Sequence, residues 1–402
     1  MKYPFTPEVL DAIPEEAAGL FRALELTLLK DISTRLTLSG KLNEVTISDI
    51  KALRALGLNT AEIRKAVLET TKLGKKELDK AIAEAVRYNQ AYYDEVITLA
   101  DITVPDTLVS VADIAAIQKQ SLDTFRNITQ SMGFLVDAGR TMLPPARAYQ
   151  WALDSALMQV QSGAISYSQA IANATRQLAD SGLKVVEYES KEQPGKIGHI
   201  DQADVAVRRA VLTGVSQVCD KYTDQAAEYL DSPYVEISAH AGARDIPYPN
   251  PWSSHKDWQG KVYYQSKHGE KDPLGKYPDL VEKTGYGEVD GLLGANCRHI
   301  RYVWVEGVSE RTYTDEQLRN IDPPPVEYEG KTYTHYEATQ KQREIERTVR
   351  KWERREAAAT NSQDKQIAKI RIRTLKQKYK EFSSAADLRM QPERMKVIIS
   401  TK

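Results

Sequence analysis

Four of the six histidines, His240, His255, His268 and His299, and one of the two cysteines, Cys297, fall within sixty residues of one another. Imidazole and thiolate are the ligands that zinc prefers, and four such groups from two loops would close a tetrahedral site. His240, His255, Cys297 and His299 are the candidates. Their spacing matches no ribbon or finger, because the first pair stands fifteen residues apart and the second is Cys-x-His. The competing account needs no metal: the same side chains hydrogen-bond loop carbonyls and stabilise a segment with little regular structure. No other cofactor is indicated, since no G-x-G-x-x-G follows a strand and there is no P-loop.

Two catalytic readings use the same groups. In the first, Cys297 is a nucleophile, His240 or His255 its base, and Asn296 or Asp257 the orienting group. Nothing in the sequence positions an oxyanion hole, and Cys297 precedes a strand instead of opening a helix. In the second, His255, Asn296 and His299 form an HNH-like nuclease site. Their intervals do not suit one compact ββα unit, and acidic ligands are not placed beside them.

The elements that must carry these groups can be read from periodicity. Leu20, Leu24, Leu28, Ile32 and Leu36 recur every four residues, one apolar stripe of an amphipathic helix closed by Gly40. Asn59 and Glu62 mark the start of a helix over 61–73 that Gly74 ends, with a longer helix over 75–99 after it. Further helices are expected at 111–137, 144–162 and 167–181. Pro144 and Pro145 suit a first turn. Residues 184–188 alternate as a strand, 193–198 read as a loop, 201–230 as a helix, and 234–238 and 299–305 as strands. Between 240 and 296 the chain is loop-rich. Its tryptophans and tyrosines, among them Trp252, Trp258, Tyr263, Tyr286, Tyr302 and Trp304, can cover a core that short elements leave open.

After the linker signal Pro323-Pro324-Pro325 come two charged helices, over 336–359 and 362–382. Between Lys341 and Lys380 there are fourteen Lys and Arg against five Asp and Glu, a net +9. The whole chain carries −1, so the remainder holds −10. Arg347, Arg350, Lys351, Arg354, Arg355, Lys369, Arg371 and Arg373 are candidate contacts to DNA or to an acidic partner. The plainer account is a solvated helical hairpin whose edge, Ile345, Val349, Trp352, Ile367, Ile370, Leu375 and Tyr379, packs on itself or on a copy.

The segments Ala239-His-Ala-Gly-Ala-Arg244, His255-Lys-Asp-Trp-Gln-Gly-Lys-Val-Tyr263, Thr284-Gly-Tyr-Gly287 and Gly291-Leu-Leu-Gly-Ala-Asn-Cys-Arg-His299 follow one another in order. This pattern resembles the C-terminal half of the phage minor capsid protein 2 family, and is more distantly similar to Mu F-like head-morphogenesis proteins. The motif residues are His240, Gly242, Arg244, His255, Trp258, Gln259, Gly260, Asn296, Cys297, Arg298 and His299. The helix around Asp204–Val215, Tyr336–Arg343 and Leu388–Arg394 extend the resemblance. One departure is the long segment between Arg244 and His255. The resemblance implies a low-copy head protein and no enzyme. It would associate with portal, capsid or scaffolding proteins in head assembly, packaging or ejection, with the basic tail contacting either packaged double-stranded DNA or a neighbouring protein. The virion head, and the host cytoplasm during assembly, would be its locations.

The expected fold is α+β and predominantly helical: an N-terminal helical domain over 1–183, a small α+β Mu F-like domain over 184–322, and a Pro linker with a basic helical tail over 323–402. A chain of 402 residues fits two or three domains. Two cysteines give no disulfide framework, so a reducing location is expected. There is no signal-like N-terminus. The most apolar stretch, 96–117, is broken by Asp101, Pro105, Asp106 and Asp113, too polar to span a bilayer.

Overall fold

The computed structural model describes residues 3–39, 60–136, 141–161, 165–189, 197–246, 248–266 and 270–396. Twelve α-helices and nine strands lie among them. Four long helices form the centre: α2 (Glu15–Ser39), α3 (Thr60–Leu99), α4 (Val111–Gln130) and α7 (Ala203–Tyr229). The leucine stripe of α2 is buried throughout, from Leu20 at its start to Leu36. The short α1 (Pro7–Ala12) leads into it, capped by the Thr6 hydroxyl. Gly40 and Asn59 lie outside the described residues.

Gly74 does not end a helix; α3 runs through it for 40 residues. A Cβ there would meet Phe125 at 3.0 Å and Phe21 at 3.1 Å. The glycine lets two rings, themselves edge-to-face at 6.3 Å, approach the α3 backbone. Packing of three helices thus overrides its poor helix propensity. The helix expected over 111–137 also stops early. Ser131 turns back on Asn127, and Met132–Val136 becomes strand β1.

That strand lies in a four-stranded antiparallel sheet, order β2-β1-β3-β4, with β2 at Thr141–Leu143, β3 at Leu183–Glu189 and β4 at Ile197–Gln202. Its centre pairs Met132 with Val185. Gly133 is required because a Cβ would meet the Leu143 carbonyl oxygen at 2.5 Å. Helices α5 (Pro145–Gln161) and α6 (Tyr167–Ser181) cover this sheet beside α2. Strand β4 was not expected, and most of the loop read at 193–198 lies outside the described residues.

A second sheet, order β6-β5-β7, places β5 (Tyr234–Ile237) between β6 (Val262–Tyr264) and β7 (Arg301–Trp304). Val235 stands opposite Tyr263 on one side and Val303 on the other. The sheet is fastened to α7 by Arg301, which is wholly buried. Its guanidinium pairs with Asp220 and, at 2.7 Å, with Asp224, and donates to the Tyr286 hydroxyl at 3.0 Å. Among the described residues between these strands the helices are short, α8 (His255–Trp258) and α9 (Leu280–Thr284) after a 3-10 turn at Pro251–Ser253, with α10 (Asp315–Arg319) after β7.

Beyond Pro323–Pro325 the chain forms an unexpected β-ribbon, β8 (Val326–Tyr328) with β9 (Lys331–Tyr333). Glu329 and Gly330 both take positive φ, 49° and 73°, the backbone of a two-residue hairpin turn. Then α11 (His335–Ala357) and α12 (Ser362–Ala385) pack as an antiparallel hairpin. Thr334 and Glu337 cap the first reciprocally and Asn361 caps the second. The largest buried core runs from Phe5 to Ala358, drawing on residues of all three sequence segments. No helix among the described residues is long and apolar enough to cross a membrane.

Candidate functional site

The loops between β5 and β7 bring His240, His255, Cys297 and His299 into one buried group. His299 is the centre. Its ring stacks on His240 at 4.5 Å and stands edge-on to His255 at 5.4 Å and to Trp258 at 4.9 Å. The long Arg244–His255 segment therefore does not separate the two outer imidazoles: both reach the same ring. The ligand atoms of His255, Cys297 and His299 lie within 4.8 Å of one another. His240 is not part of that triplet, so three of the four expected metal ligands converge. His268 lies outside the described residues.

Hydrogen bonds fix each ring. The His255 Nε2–H donates to the Asp290 carbonyl at 2.9 Å, and the His240 Nδ1–H to the Ala241 carbonyl at 2.9 Å. Gln259 Oε1 accepts from both the His240 amide and His299 Nε2, each at 3.0 Å. That leaves the His299 Nδ1 lone pair 3.6 Å from Cys297 Sγ. Burial drives the three imidazoles toward neutrality: His240 is lowered to about 3, His255 to about 4, and His299 well below its ordinary value, with Arg298 or Arg244 adding to the effect.

The remaining motif residues hold this arrangement in place. Arg244 donates to the Asp290 and Ala295 carbonyls at 3.1 and 2.9 Å. The Trp258 indole donates to the Trp252 carbonyl at 2.8 Å. Gly242, at φ +70°, donates its amide to Asp322 at 2.7 Å, and Gly260, at φ +67°, has Leu318 where a Cβ would stand. Exposed Asn296 takes φ +59° in the turn before Cys297. Arg298 reaches out of the module to Asp11 on α1, at 3.1 Å.

One organising residue was not anticipated. The Asp290 carboxylate accepts from Asn250 at 3.0 Å, from Trp252 at 3.1 Å and from the Ser253 hydroxyl, bonds that hold it at about 2. Its place just before Gly291 was the available signal, an acid at a loop glycine.

For a nucleophile, the environment of Cys297 is the reverse of what is needed. The thiol is buried and burial pushes it up, whereas a reactive cysteine is accessible and depressed. Both orienting groups considered, Asn296 and Asp257, are exposed, and the imidazoles are held by carbonyls and an amide instead. For the HNH-like trio, His255 and His299 are buried and hydrogen-bonded to the Asp290 carbonyl and Gln259, which leaves neither imidazole free to act on a phosphodiester.

The basic tail divides in two. Arg354 is buried, donating to the Ala179 carbonyl at 2.8 Å in the last turn of α6 and pairing with Glu25 at 3.5 Å. Arg355 grips Asp180 with two bonds of 2.6 Å, Lys351 meets the same carboxylate at 3.7 Å, and Arg350 meets Asp204 at 3.6 Å. These four are engaged by the molecule's own carboxylates and carbonyls. Arg347, Lys369, Arg371 and Arg373 are exposed, and so are Ile367 and Ile370 beside them.

The sequence model of the phage minor capsid protein 2 family matches residues 5–383. The chain belongs to that family. A structural protein of Lactococcus phage LL-H is 26% identical over 336 residues, 82% of each chain. A structural protein of Lactococcus phage mv4 is 39% identical over 84 residues, 21% of this chain and 58% of that one. No solved structure matches.

Proposed function

We propose that the chain is a portal-associated component of the phage head, acting in head morphogenesis, DNA packaging or ejection by surface contact. The observation that carries this reading is how the motif residues are used. His240, His255, Gln259, Cys297 and His299 are buried and bonded to one another or to the neighbouring backbone, so the motif builds a rigid module instead of presenting reactive groups. Portal and other capsid or scaffolding proteins are the proposed partners. Packaged double-stranded DNA is proposed for the exposed basic face of α12. Co-expression with the portal protein of the same phage and affinity purification through the portal tests the reading. Recovery of the chain at a fixed ratio is expected; its absence from intact portal assemblies sinks it.

A second reading concerns the module's stability, and the donor set favours it. His255 and His299 each give Nε2–H to an oxygen and keep Nδ1 for a ligand, as metal-binding histidines do, and Cys297 lies within reach of both. A zinc-class ion held by these three would lock the loops together without turnover. The expected result is stoichiometric zinc by elemental analysis and a lower Tm after chelation. A metal-free protein whose Tm ignores chelator refutes it.

A further inference from the structure

Beside the histidine cluster lies a cavity of about 320 Å³, bounded by α2, α7, α11, the 240–244 and 296–299 loops and the Pro392–Met395 turn. We propose that it binds a small, multiply charged oxyanion of the phosphate class. Its lining holds eight arginines and three carboxylates, Glu15, Asp204 and Glu346. A fourth carboxylate, Asp11, stands just behind.

The pairings account for only some of this positive charge. Asp11 is shared by Arg208 at 2.9 Å and by Arg298 and Arg394 at 3.1 Å each. Glu15 takes Arg22 at 3.2 Å and Arg208 at 3.0 Å. Asp204 meets Arg22 and Arg350, both at 3.6 Å. Arg244 is bonded to carbonyls alone, and Arg343 and Arg347 have no hydrogen-bond or ion-pair partner among the described residues. Eight guanidinium groups against four carboxylates leave four positive charges unmatched, counting every carboxylate as ionised.

Unmatched charge in a partly buried site is costly, because like charges repel through a medium that screens them poorly. Arg343 registers this: burial, then Arg394 and Arg298, lower it to about 9. One buried donor of the lining, Arg394 Nε, has no hydrogen-bond partner. Guanidinium groups gathered in excess of carboxylates favour an anionic counter-charge. Planar guanidinium forks pair with tetrahedral oxyanions through two bonds at once, which makes phosphate a better match than a monovalent ion. The volume is at the lower end of small-molecule sites, room for a phosphate or pyrophosphate group and not for a duplex.

The binding claim is independent of the portal reading and is tested on the full-length chain with sodium pyrophosphate. Titration calorimetry should show saturable binding. Pyrophosphate should also raise Tm, where sodium chloride of the same ionic strength does not. Arg343→Met should fold with an unchanged or higher Tm without anion, since it removes repulsion, and should bind at least about tenfold more weakly. Should that variant fail to fold, Arg343→Lys, which keeps the charge and loses the fork, is expected to weaken binding as well. A short duplex DNA at equal phosphate concentration should not displace pyrophosphate. No saturable binding, an equal response to chloride, unchanged affinity in the folded Arg343 variant, or displacement by duplex would each overturn the proposal.

Discussion

Gln259 shows how the module is built at the level of single atoms. One amide oxygen accepts both the His240 backbone N–H and the His299 ring N–H. Gln259→Leu should strand two buried donors and destabilise the protein by about 1–3 kcal/mol for each, measured by denaturant unfolding. An unchanged midpoint would mean that the network is dispensable. The imidazoles give a second expectation. His255 falls from an ordinary 6.5 to about 4 on folding, so between those values the unfolded chain binds the extra proton. Stability is therefore retained above pH 6.5 and lost as pH falls toward 4, with about 2 kcal/mol gone by pH 5 from this group alone. Unfolding at pH 7 and pH 5 reads the loss directly. His255→Gln should be less stable at pH 7 yet lose less between the two, and equal losses would contradict the account. The density of His and Cys made the cluster legible in the sequence. What held it was not: Asp290 works through a folded loop, and Arg298 finds Asp11 from 287 residues away, a pairing that no local pattern encodes.

Among the elements, periodicity served where a face is buried along its whole length, as in α2, α6 and α7. It failed where tertiary contact decides the outcome. Gly74 reads as a stop by propensity, but Phe21 and Phe125 need its missing side chain. Gly74→Leu should force those rings apart and cost about 1–3 kcal/mol, seen as a lower Tm; a stabilised variant would refute the close-packing account. The β8–β9 ribbon leaves little trace in the sequence because each strand is three residues long and the turn is Glu-Gly, a weaker signal than Asn-Gly. The tail's charge was legible, but its division was not, since Arg354 and Arg355 are spent on α6 while Lys369, Arg371 and Arg373 remain exposed. Replacing those three by Gln should leave Tm unchanged. If α12 touches DNA, it should also flatten the salt dependence of low-salt binding by roughly three phosphate contacts. A wild-type chain that binds no DNA at low salt removes that contact.

Across the whole molecule, the three sequence segments each contribute to the largest buried core, the tail only through Ala358, and are tied by long-range ion pairs. Tyr3 stacks on Tyr302 at 3.8 Å, and Asp11 joins α1 to Arg208, Arg298 and Arg394. Removing residues 335–402 would strip partners from α2 and α6 as well as removing the tail, so the cooperative unfolding transition should be lost and not merely shifted. The measurement closest to the central claim is quantitative mass spectrometry of purified, DNA-filled heads of the phage that encodes this chain. A contact-based head component should be present at a fixed ratio to the portal protein, and should stay with the particle through density-gradient purification. Intact heads that lack the chain, while it persists free in the lysate, would contradict the account.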